Sequence, residues 1–148
     1  MRWLLLAVML SVAFPVSAFA IAPLPNPCSL LTSKQVAPAV DGTAQTHSET
    51  GDPFGPTCTW TGPPMGYMQT RTPFMLQIFR LSKARFSAAY QRVQTGTSPV
   101  PGLGDVAYSG QGSLAVWKDG LALQLFGAYL SVYAARGITL ARDALKAL

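Results

Sequence analysis

The spacing of apolar and polar positions changes several times along this chain, and each change marks an expected element. Thr57-Cys58-Thr59-Trp60-Thr61 alternates strictly, with Cys58 and Trp60 on one face and three threonines on the other. That period of two predicts a half-buried strand. Phe74 to Leu81 is apolar on both faces, as an inner strand requires. Phe86, Ala89, Tyr90 and Val93 then follow the i, i+3, i+4, i+7 spacing of one helical stripe, with Ser82 placed to cap and Gly96 to terminate. Ser113–Lys118 and Leu121–Phe126 flank Asp119-Gly120, a strong two-residue hairpin signal. In that register Val116 faces Leu123 and Leu114 faces Leu125, giving one apolar face. From Ile138 to Leu148, Ile138, Ala141, Ala144, Leu145 and Leu148 share a side, with Arg142, Asp143 and Lys146 opposite. This predicts a terminal amphipathic helix.

Punctuation fills in the rest. Thr32 and Gln35 form a capping box, and Leu31 with Val36 a hydrophobic staple, so a helix starts there. Pro38 keeps it short. Asp41-Gly42 is a turn, and the Thr-rich polar segment Thr43–Glu49 suits an edge strand. Gly62–Pro73, with three prolines and two glycines, is a long loop. Thr97–Gly104 is Pro/Gly punctuation, Asp105–Tyr108 a short strand, and Ala128–Gly137 either strand continuation or loop. The expected order is α-β-β-β-α-β-β-β-α. Short links imply antiparallel pairing, with helices packed on one face of the sheet: an α+β fold. Trp60, Leu76, Ile78, Phe86, Tyr90, Val116, Leu123, Leu125 and Leu145 are expected to share one core.

The first residues add a compartment. Arg2, the apolar run Trp3–Phe14, Pro15 and the small-residue stretch ending at Ala20 have the layout of a cleavable secretory signal. The chain therefore divides into residues 1–20 and a single exported domain over 21–148, periplasmic or secreted. No later run is long and apolar enough to span a membrane. The 11% of charged residues against 49% hydrophobic argues against disorder. Without Arg2, ten of the eleven Lys/Arg remain against six Asp/Glu. Between Asp52 and Asp105 there is no acid, while Arg71, Arg80, Lys83, Arg85 and Arg92 lie there. Such a face can attract an anionic membrane, an acidic protein or nucleic acid, or simply keep the protein solvated. No set of stacking aromatics interleaves these arginines, which argues against nucleic acid.

Export also decides how the two cysteines are read. In an oxidising compartment Cys28 and Cys58 most simply pair; their spacing is far from the Cys-x-x-Cys of redox sites.

Three segments in order, Pro27-Cys28-Ser29-Leu30-Leu31-Thr32, Cys58-Thr59-Trp60 and Val100-Pro101-Gly102-Leu103-Gly104-Asp105-Val106-Ala107-Tyr108, carry a resemblance. The set resembles small exported bacterial proteins and lipoproteins grouped as a domain of unknown function. The resemblance implies a PsbP-like or related α+β fold and a disulfide between the motif cysteines. It implies no catalytic residue. The chain departs from the lipoprotein members in lacking a lipid-attachment cysteine.

Candidate chemistry is sparse. His47, the single histidine, forms a loose set with Glu49 and Asp52. A zinc site needs further nitrogen or sulfur donors, so no metal or cofactor is expected. There is no Gly-x-Ser-x-Gly elbow, and six scattered acids do not suggest paired carboxylates. The 62–73 loop offers Met65, Tyr67 and Met68, adaptable contact residues, beside Arg71. The alternative is that these side chains cover the sheet edge. The reading that follows is a non-catalytic extracytoplasmic binding domain for an envelope protein or a small apolar ligand. The alternative is an envelope enzyme or enzyme inhibitor. A pocket joining His47 to converging acids would favour the enzyme, and a shallow apolar groove under the 62–73 loop would favour binding.

Overall fold

The computed structural model describes residues 22–49, 55–64, 73–92, 96–127, 130 and 134–148, with backbone alone at 46–49 and 92. A 3-10 turn, Pro27–Ser29, precedes the short helix α1 (Ser33–Val36). The capping box forms as expected: the Gln35 N–H donates to Thr32 Oγ1 at 3.3 Å, and the Thr32 N–H donates to Gln35 Oε1 at 2.9 Å. Pro38 turns the chain into a second 3-10 segment, Ala37–Ala39, after a single α-helical turn. Leu31 and Val36 are both buried, as the staple requires.

The strands are β1 (Gln45–Glu49), β2 (Thr57–Thr61), β3 (Pro73–Arg80), β4 (Ser98–Pro99), β5 (Val106–Gly110), β6 (Ser113–Lys118) and β7 (Leu121–Gly127). Helix α2 (Lys83–Arg92) links β3 to β4, and α3 (Ala134–Ala147) closes the chain. All pairings are antiparallel in one seven-stranded sheet ordered β1-β2-β3-β7-β6-β5-β4. Two meanders, β1–β3 and β4–β7, therefore meet at the central β3–β7 pair. The α+β class stands, but the expected order needs one more strand. Ser98–Pro99 pairs with Ser109 and Tyr108 at the sheet edge, a position that tolerates proline.

A second correction concerns the layers. Cys58, Trp60, Phe74, Leu76, Ile78, Leu114, Val116, Leu123 and Leu125 face one side, where residues of α1 and α3 join them in the main core. Phe86 and Tyr90 of α2 pack on the other side, against Ala115, Ala122, Phe79, Tyr108 and Trp117. Helices thus cover both faces, not one, and the nine expected core residues, all buried, divide between two clusters. The cause is β3: its alternate residues Ile78 and Phe79 are apolar, so each face needs its own cover. A helix leaving the centre of the sheet for its far edge can supply the second.

The hairpin has the expected register, Val116 opposite Leu123 and Leu114 opposite Leu125. Asp119 and Gly120 take φ of 49° and 84°, the left-handed pair that a two-residue type I′ turn demands. The Arg85 N–H donates to Ser82 Oγ at 3.3 Å, so Ser82 caps α2. Ala89 of the expected stripe is exposed, and Val93 lies outside the described residues. Helix α3 begins before Ile138 and includes Gly137, where a Cβ would strike the Leu130 side chain. That glycine admits Leu130 to the core instead of ending a loop.

Cys28 and Cys58 form a disulfide, with Cα atoms 5.1 Å apart. It ties the first 3-10 turn to β2 at the buried face of the sheet. No helix among the described residues is long and apolar enough to cross a membrane.

Candidate functional site

A concave surface lies between α1 with its 3-10 extension and α3. Pro38 stops α1 after one turn, and Ala39 behind it is small and buried. Across the gap α3 presents Leu140, buried in the main core. The result is a groove of about 500 Å³ floored by Pro38, Ala39 and Leu140. Its exposed surface is mainly apolar. Lys34, Arg136 and Thr139 form the rim, and Gln35 with Asp143 closes one end.

Gln35, Arg136, Thr139 and Asp143 are held by neighbours. Arg136 Nη1 donates to the Pro38 carbonyl at 2.9 Å, joining the two walls. Gln35 Nε2 donates to Asp143 Oδ2 at 3.4 Å, and Lys146 Nζ stands 3.5 Å from Asp143 Oδ1. Asp143 is therefore engaged on both oxygens. Thr139 Oγ1 donates back to the Ala135 carbonyl at 3.1 Å, leaving its methyl available to the groove. Among the described residues, its lining includes one carboxylate, Asp143, and no histidine. What it can do is bind: an apolar floor beside two cationic side chains suits a mostly apolar molecule with an anionic end.

The residues singled out from sequence fall elsewhere. Met65, Tyr67, Met68 and Arg71 lie outside the described residues, as does Asp52. His47 and Glu49 are two apart on β1, at register positions opposite Thr59 and Thr57, on the sheet face that Cys58 and Trp60 do not occupy. The groove lies on the Cys58 and Trp60 side. His47 is not among the residues that line it. Among the described residues no three His, Cys, Asp or Glu side chains stand together as metal ligands.

Sequence reasoning missed the groove because its walls are about a hundred residues apart in the chain, Gln35 meeting Asp143. Each wall alone reads as an ordinary solvated helix face. The one local signal was Pro38, which shortens α1. Comparison of the chain with protein-family models, with curated proteins and with solved structures finds no match.

Proposed function

We propose that this chain is a non-catalytic binding domain that works outside the cytoplasm and takes a small, mostly apolar ligand with an anionic end group. The observation that carries the reading is the groove between α1 and α3, with Leu140, Pro38 and Ala39 as floor and Lys34 and Arg136 at the rim. Export is supported by the signal-like start and by a disulfide that an oxidising compartment would maintain. The ordered motifs around Cys28, Cys58 and Gly102 support kinship with small exported proteins of undefined activity.

The test uses the chain from Ile21, which carries every described core residue, since the first is Leu24. Dodecanoate is a suitable probe, an apolar chain with one carboxylate. Calorimetric titration should show saturable binding. Thr139→Trp, at an exposed helix position, should fill the groove and abolish it without changing the melting temperature. Lys34→Gln should weaken it by roughly tenfold, the loss of one charge-assisted contact. Unchanged binding in Thr139→Trp would remove the groove from the account.

A further inference from the structure

We propose that the end of the molecule where β3 stops and α2 starts docks on an anionic phospholipid membrane. The cations of this end come from three elements. Arg80 is the last residue of β3 and Lys118 the last of β6, and both flank Leu121 in the same row of the sheet. Lys83 and Arg85 occupy the first turn of α2 and are exposed, as is Arg80. Arg80, Ser82 and Arg85 border one shallow depression with Gly120. Among the described residues, Asp105 and Asp119 are the acids beside these four cations. No ion pair among the described residues joins them.

An aromatic side chain accompanies the charge. Trp117 Nε1 donates to the Leu81 carbonyl at 2.6 Å, and Lys83 Nζ lies 5.8 Å from the ring centroid. Trp117 and Leu81 are partly exposed. An amphipathic ring beside Lys and Arg is the combination favoured at a headgroup interface.

What selects a membrane over an acidic protein is the path of the chain. Arg80 Nη2 donates to the Ala22 carbonyl at 2.6 Å, which fixes the N-terminal segment to this end. The apolar run Trp3–Phe14 lies just upstream of Ala22. The described chain thus begins beside Arg80, so a bilayer that holds the upstream run would lie near the end of the molecule that carries Arg80, Lys83, Arg85 and Lys118. Attraction to an anionic leaflet acts over a Debye length, about 10 Å at 0.1 M salt, so the exposed Arg80, Lys83 and Arg85 and the partly exposed Lys118 can act together. This surface is separate from the α1–α3 groove and does not depend on that groove's ligand.

Cosedimentation of the chain from Ile21 with vesicles tests the proposal. Binding should be strong with phosphatidylglycerol mixed into phosphatidylcholine, weak with phosphatidylcholine alone, and lost in concentrated salt. The triple variant Lys83→Gln, Arg85→Gln, Lys118→Gln should bind at least about tenfold more weakly. The control Arg142→Gln, Lys146→Gln, which removes charge from α3, should bind as the parent does. Brominated phosphatidylglycerol should quench Trp117 in the unmodified protein, since Trp60, the other tryptophan after Ile21, is fully buried. That readout decides the matter even if the triple variant misfolds. Equal binding to neutral vesicles, equal loss in the control, or absent quenching overturns the proposal. So does full competition by millimolar inorganic phosphate, which would indicate a site for the free ion.

Discussion

A Cβ at Gly62 would fall inside the van der Waals envelope of the Val40 carbonyl oxygen and carbon. Both are backbone atoms, so no rotamer change makes room. The close approach lets β2 leave the sheet against the 3-10 segment that follows α1. Gly62→Ala is therefore expected to lower stability by about 2–3 kcal/mol in urea denaturation. A shift under about 0.5 kcal/mol, typical of surface substitutions, would show that the two segments are not held together. Tyr90 makes a second prediction. It stacks on Tyr108 with centroids 5.9 Å apart and packs on Phe86 at 4.8 Å, and burial raises its pKa from 10.0 to about 12. Above pH 10 the unfolded phenol ionises while the folded one does not, so unfolding releases a proton and stability falls as pH rises. The contribution is intact below pH 10 and is lost through about 12, on the order of 2–3 kcal/mol. Tyr90→Phe should flatten this part of the stability–pH curve. An identical slope in the variant would mean the phenol is not buried in solution.

At the scale of elements, the two faces of the sheet behave as separate cores. Leu125 belongs to the face under α1 and α3, and Phe86 holds α2 to the other. Leu125→Ala should cost about 2–5 kcal/mol and Phe86→Ala about 3–5 kcal/mol. Because the sheet backbone lies between them, the double variant should equal the sum within about 0.5 kcal/mol. A larger coupling energy in chemical denaturation would argue for one continuous core. This division shows where sequence patterning stops being informative. The hairpin was legible because Asp119-Gly120 can adopt two positive φ angles between alternating strands. The first helix was legible because its cap is built within four residues. The placement of α2 was not, because the pattern of Phe86 and Tyr90 gives a buried stripe but not which face it meets. That is set by the crossover from the central β3 to the edge strand β4. Ser98–Pro99 was missed for a related reason: so short a strand exists only through its partner, β5.

Over the whole molecule the disulfide links the start of the described chain to the sheet, closing a 30-residue separation. In the chain-entropy view it contributes about 3–4 kcal/mol by restricting the unfolded state. Replacing both cysteines by alanine should lower stability by about that amount, with native-like circular dichroism retained because Trp60 and Phe74 still pack, 5.7 Å between centroids. Loss of less than about 1 kcal/mol would mean the bond merely decorates a turn. Its pairing was legible from the signal-like start and the cysteine count. The groove was not, since Lys34 and Arg136 become neighbours only when α3 returns to α1. Amide chemical shifts in a nitrogen-15 labelled sample titrated with dodecanoate test the central claim most directly. The account predicts saturable changes centred on Lys34, Gln35, Ala39, Arg136, Thr139 and Leu140. Changes centred on residues 62–73, or none up to the solubility limit of the probe, would contradict it.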